Sequence, residues 1–137
     1  MKTKDFLTLL LDVFKSFDVH PAMIEELLKI LAASGNEKNV LRMLAVRLKI
    51  LRAYGAEAVK HEEFESIKNG HGLYSMHLAQ SNFNLRILYA FLPNKMPCLL
   101  LCFYKRSKKS NTDYSKHIPL ALERLKEKME EYKNGQK

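Results

Sequence analysis

His77, Arg86, Lys105 and Arg106 are the residues of this chain best suited to chemistry on a phosphate. A guanidinium is a planar, permanently charged fork that matches phosphate oxygens. A second and third cation beside it add charge where a phosphorane gathers it. A histidine titrates near neutral pH and can take up or hand over a proton. Cleavage of RNA by its own 2′-hydroxyl asks for little more than alignment, charge stabilisation and one proton carrier. Lys108 and Lys109 extend the positive run, and Lys116 follows it. Tyr104 and Tyr114 can stack on bases. The expected catalytic set is therefore Arg86, Lys105, Arg106 and His77. The expected RNA contacts are Lys108, Lys109, Tyr104, Tyr114 and Lys116. No metal or other cofactor is expected. Cys98 and Cys102 form a lone C-x3-C with no second ligand pair. His20, His61, His71 and His117 show no ligand spacing and are expected at the surface.

Three apolar runs of strand length between Gly72 and Lys109 must position these residues. In the first, Tyr74, Met76 and Leu78 share one face, with Ser75 and His77 on the other. In the second, Leu85, Ile87, Tyr89 and Phe91 share a face, and Arg86 and Leu88 point oppositely. The third, Cys98 to Tyr104, hardly alternates, as suits a central strand covered on both sides. Alternation in that strand would put the two thiols on one face, roughly 13 Å apart at about 3.3 Å per residue, too far for a disulfide. They are expected as reduced core thiols, which points to the cytoplasm. The loops Gln80–Phe83 and Pro93–Met96 suit hairpins. Matching apolar faces across those loops sets His77 opposite Arg86, Arg86 opposite Phe103, and Asn84 opposite Lys105. His77, Arg86, Phe103 and Lys105 would then share one face, and a slip of one residue would scatter them.

The flanking segments read as helices. Phe6, Leu9, Leu10, Val13, Phe14 and Phe17 fall on one helical face. Pro21 can open a second helix at its first position, striped by Met23, Ile24, Leu27, Leu28 and Leu31. Asn36 can cap a third, which Gly55 would stop. Residues 56–71 are polar and mixed, closed by the breaker Lys68-Asn69-Gly70-His71-Gly72. Residues 107–114 read as a polar loop. A last helix from about Ser115 carries Ile118, Leu122, Leu125, Met129 and Tyr132. Pro119 would lie in its first turn, and the stripe would cover the sheet. The fold class is α+β: a small antiparallel meander of about three strands between N-terminal helices and one C-terminal helix. A chain of 137 residues suits one domain: a helical extension over 1–35 and a core over 36–137. The net charge is +8, and it is uneven. Residues 1–70 hold 11 Lys/Arg against 10 Asp/Glu; residues 71–137 hold 12 against 5. The basic half is the half with the strands, as for a nucleic-acid or ribosome surface. No segment is apolar enough to span a membrane, and the acidic residues near the N-terminus argue against a signal peptide.

Four blocks resemble a known family: Gly72-Leu73-Tyr74-Ser75-Met76-His77, Leu85-Arg86-Ile87-Leu88-Tyr89, Leu101-Cys102-Phe103-Tyr104-Lys105-Arg106-Ser107, and a helix with Ala121 and Arg124. Their order and spacing are similar to the HigB-like branch of the RelE/ParE superfamily, toxins of bacterial toxin–antitoxin pairs. That pattern runs roughly GLYELR, YRIFY, then hGFxKKTxKTP, then a helix. The resemblance implies a small antiparallel sheet flanked by helices. It implies growth arrest through metal-independent, ribosome-dependent cleavage of translated messenger RNA. Arg86 matches the arginine of the second block, and Lys105 and Arg106 the basic pair of the third. Lys108 and Lys109 lie in the basic loop that follows. Ser75 and His77 stand where the pattern has glutamate and arginine, and Ser110-Asn111-Thr112-Asp113 lacks its Thr-Pro. The implied partners are a cognate antitoxin, the ribosome and messenger RNA, with no membrane and homodimerisation left open. Two other readings compete: a ParE-like gyrase inhibitor, and a non-catalytic basic module whose working surface is residues 1–35.

Overall fold

A computed structural model describes residues 3–32, 34–105 and 110–135. The elements run α1 (Thr3–Phe14), β1 (Asp18–Val19), α2 (Pro21–Leu31), α3 (Glu37–Tyr54), a 3-10 turn (Gly55–Lys60), β2 (Phe64–Ser66), β3 (Tyr74–Gln80), β4 (Phe83–Phe91), β5 (Pro97–Tyr104) and α4 (Ser110–Gly135). The α+β class is as expected, with two short strands added. The sheet order is β1-β5-β4-β3-β2, antiparallel except where β1 pairs β5 in parallel. Both added strands are edge strands of two and three residues. Runs that short carry no readable period, and only their partners define them.

The sheet separates two cores. On one face Met76, Leu78, Leu85, Ile87 and Tyr89 pack with Phe6, Leu10, Met23, Leu27 and Leu44 from α1 to α3. On the other, Leu88, Leu101 and Phe103 pack with Tyr114 and Ala121 of α4, and the stripe Ile118, Leu122, Leu125, Met129 and Tyr132 lies against them. The strand pairs include His77 with Arg86 and Arg86 with Phe103, as face matching gives. A β-bulge then shifts the register: Leu88 pairs Leu101, but Tyr89 pairs Leu99, which leaves Leu100 as the extra residue. The shift corrects the expected placement of the thiols. Cys102 lies in the α1–α3 core and Cys98 in the α4 core, because one extra residue inverts the alternation between them. Both are buried free thiols, and burial pushes Cys98 up to about 12.

Helix boundaries follow local chemistry. Pro21 takes the first position of α2, and the His20 ring accepts from the Ala22 amide at 3.2 Å. Asn36 makes no side-chain cap on α3. Its carboxamide oxygen instead accepts from Asn82 at 2.6 Å, while Ser34 accepts from the Asn36 amide and donates to Glu37. Its own backbone amide first, and then the Ser34 hydroxyl, hold the Glu37 carboxyl below its ordinary range against the opposing effect of burial. Helix α4 begins at Ser110, not near Ser115, so the expected polar loop is shorter and Pro119 sits inside the helix. Its ring cannot donate the amide bond that an interior helical position normally makes.

Beyond β1, side chains stand in for a missing strand along β5. The Glu26 carboxylate accepts from the Cys102 amide at 3.0 Å, and Arg124 donates to the Leu100 carbonyl at 3.0 Å. The two side chains meet each other in a two-pronged pair, each contact 2.8 Å. Lys128 with Asp18 (2.5 Å) and His20 with Glu127 (2.9 Å) complete a clasp between α4 and the N-terminal segment. His20 is therefore half-buried and engaged, not a plain surface residue. Arg124→Met should strand the Glu26 carboxylate and the Leu100 carbonyl together. Loss of a buried partner of this kind costs about 3 kcal/mol, which urea unfolding of the two proteins would measure; an unchanged midpoint would contradict the clasp.

Candidate active site on the α4 face of the sheet

The neighbouring strands β3, β4 and β5 each bring a polar residue to one end of the face that α4 covers. Arg86 is at the β4 position opposite His77 on one side and Phe103 on the other. The Lys105 amide donates to the Asn84 carbonyl at 2.8 Å, extending the same ladder and placing Lys105 on the Arg86 face. Arg86 is only 9% exposed. One of its terminal nitrogens donates to the Asn84 carboxamide oxygen (2.5 Å) and the Leu85 carbonyl (3.2 Å). Its Nε has no hydrogen-bond partner among the described residues. A buried guanidinium donor without a partner is costly to keep.

His77 is fixed through its backbone: its amide donates to the Glu63 carbonyl at 2.8 Å, and Arg47 of α3 donates to its carbonyl at 3.1 Å. Its ring joins a network that strand patterning did not reveal. Nε2 lies 3.3 Å from a Glu65 oxygen and 3.4 Å from the Tyr114 hydroxyl. The Tyr114 hydroxyl donates to that Glu65 oxygen and meets Ser75 Oγ at 2.9 Å. A phenol has one proton, so the buried Ser75 hydroxyl donates back to it. With Glu65 ionised, Nε2 of His77 is the donor and Nδ1 holds the free lone pair. The arrangement is a carboxylate that sets a histidine tautomer. Burial pushes Tyr114 up to about 12, and the bond to Glu65 pushes the same way.

Burial, and then the neighbouring Arg86 charge, hold the His77 ring below its ordinary value of 6.5; Glu65 opposes them. The ring is therefore neutral at pH 7 and able to accept a proton. The unfolded chain, with an ordinary histidine, binds that proton more readily in the window just below pH 6.5. Stability linked to His77 is therefore present above pH 6.5 and lost as pH falls towards the folded value. The wild type should lose stability relative to His77→Gln on acidification from pH 7.5 to 5, read by denaturant unfolding at each pH. A constant difference would contradict the assigned environment.

The other expected residues are dispersed. Tyr104 pairs with Leu85, whose side chain belongs to the α1–α3 core, so Tyr104 lies on the face opposite Arg86, 37% exposed. Tyr114 is 5% exposed, its ring edge-on to Phe103 at 5.9 Å, and it offers no open face to a base. Its hydroxyl is what reaches the site. Lys116 is exposed on α4. Arg106, Lys108 and Lys109 lie outside the described residues. His117 is stacked on Phe103, 4.1 Å between ring centres, and so is not the free surface residue expected. Glu65 was missed because β2 is three residues in a polar stretch. The one signal for it was Asn69-Gly70 between Phe64 and Tyr74, the mark of a hairpin.

A sequence model described as Phage derived protein Gp49-like (DUF891) matches residues 34–126. That is most of the chain, and it contains the whole network around Arg86. The chain belongs to the Gp49-like family. This family is related to the RelE-like toxins of toxin–antitoxin systems. The match begins just before α3, so α1 and α2 lie outside it. No curated protein and no solved structure matches the chain at a significant level. No described helix of this Gp49-like chain is long and apolar enough to cross a membrane.

Proposed function

We propose that this Gp49-like protein is the toxin of a type II toxin–antitoxin pair, close to the HigB-like branch, and that it cuts messenger RNA on translating ribosomes. The observation that carries the reading is Arg86: nine-tenths buried, with no hydrogen-bond partner for Nε among the described residues, beside a neutral histidine. A guanidinium and a phosphate pair through charge-assisted hydrogen bonds. The family relationship to RelE-like toxins supports the same class.

In this reading the scissile phosphate docks at the Arg86 guanidinium, with Lys105 nearby. His77 Nδ1 takes the proton of the 2′-hydroxyl. The O2′ attacks phosphorus, the bond from phosphorus to O5′ breaks, and the departing O5′ takes a proton from solvent. Arg86 and Lys105 stabilise the charge that builds on the non-bridging oxygens. Glu65 holds the donor side of the His77 ring, and Tyr114, itself held by Ser75, holds Glu65. The products are a 2′,3′-cyclic phosphate and a 5′-hydroxyl end. Such a basic surface, on a chain of net charge +8, favours an acidic antitoxin as partner. The test is to express the chain in cells and map messenger RNA ends during arrest, for a reporter with and without its start codon. New ends confined to the translated reporter are expected. Arrest with intact messages, or equal cutting of both reporters, would overturn the proposal.

A further inference from the structure

A cavity of about 480 Å³ opens beside the Arg86 network, between the β2–β3 loop and the first turns of α4. Glu65 and Tyr114, which hold His77, are also part of its wall. The volume falls in the range of small-molecule sites, about 300–1,000 Å³. Its lining is divided by chemistry. Ile67, Ile118 and Pro119 supply apolar surface; Asn69 supplies a hydrogen-bonding group, and Lys68 a cation. Lys68 and Asn69 are both exposed and available to a ligand. Flat apolar walls with a few donors and acceptors at the edge are what an unstacked nucleobase needs.

We infer that this cavity is a nucleobase subsite that takes a base of the RNA whose phosphate rests on Arg86. The inference builds on the ribonuclease reading and adds to it a place where sequence is read. A phosphate held by Arg86 fixes the backbone; the shared wall of Glu65 and Tyr114 puts the cavity within reach of the neighbouring nucleotide. Ile67, Ile118 and Pro119 bury the faces of the base. The Asn69 carboxamide meets its polar edge, and Lys68 meets an adjoining phosphate. Asn69 sits at φ +60 in a loop where Gly72 also has positive φ (+92). Asparagine is among the few residues other than glycine that adopt this conformation readily, so Asn69→Gly removes the carboxamide and keeps the backbone.

The test is an NMR titration of the whole chain with each of the four nucleoside 5′-monophosphates, and with inorganic phosphate. The methyl signals of Ile67 and Ile118 report on the cavity. At least one nucleotide should shift both in a saturable way, and inorganic phosphate should not. Asn69→Gly should weaken that binding about fivefold, the loss of one hydrogen bond. Pro119→Phe, at an exposed position of α4 that lines the cavity, should abolish it by filling the space. In the cleavage assay Asn69→Gly should also change which bases border the cuts. Shifts produced equally by phosphate alone, or by no nucleotide, would overturn the subsite. Nucleotide binding in a protein that cuts no RNA would sink the ribonuclease reading and leave the subsite standing. Cleavage whose base preference ignores both substitutions would sink the subsite and leave the ribonuclease.

Discussion

Arg86→Ala should abolish RNA cleavage and growth arrest while the protein stays folded. The expected loss is about 10²-fold or more in rate, the scale for removing one preorganised donor from a developing anion. The fold should survive because β4 keeps its ladder on both sides, and Leu85 and Ile87 keep the α1–α3 core. Arg86 also spends binding potential that the fold does not use: its Nε is buried and unpartnered among the described residues. Removing such a group relieves a desolvation cost, which offsets part of the lost packing and of the two lost bonds to Asn84 and Leu85, so the variant should still unfold cooperatively. Arg86→Lys is the sharper comparison. It keeps the charge and loses the fork, and should recover only part of the rate. Full toxicity in a folded Arg86→Ala protein would remove the assigned site.

Deletion of residues 1–35 should leave no folded protein at all. These residues lie almost wholly outside the stretch that matches the family model, yet they form one side of a core. Phe6, Leu10, Phe14, Met23, Leu27 and Leu31 are each at most 3% exposed. Burying a large apolar side chain is worth about 1.5–3 kcal/mol, and a domain has about 5–15 kcal/mol in total. Six such side chains are comparable with the whole margin. The deletion would also remove Glu26 and Asp18, and with them the clasp that completes the β5 edge. The truncated chain should be insoluble or lack a cooperative melt by circular dichroism. A soluble truncation with the wild-type melting temperature would show that α1 and α2 are dispensable.

What could be read from the chain, and what could not, follows element length and partner count. β3, β4 and β5 alternate or stay apolar over seven to nine residues, long enough for face matching to give His77 opposite Arg86. α3 and the stripe of α4 repeat over several turns and were equally legible. β1 and β2 exist only because β5 and β3 pair with them. A bulge leaves no mark in a run as uniformly apolar as Cys98 to Tyr104, so the opposite burial of Cys98 and Cys102 was out of reach. The site divides along the same line. The Arg86 cluster lies on long strands, while Glu65 needs β2 and the Tyr114 hydroxyl needs the docking of α4 across the sheet. Ser75, which stands where the HigB-like pattern has glutamate, is the hydroxyl that holds Tyr114.

The most direct test of 2′-hydroxyl attack at Arg86 is cleavage of one message on purified, programmed ribosomes, with and without a single 2′-deoxy nucleotide at the cut. The all-ribose message should be cut to a cyclic phosphate and a 5′-hydroxyl end, and the 2′-deoxy message should stay whole at that position. Equal cutting of both messages, or a 5′-phosphate product, would contradict it.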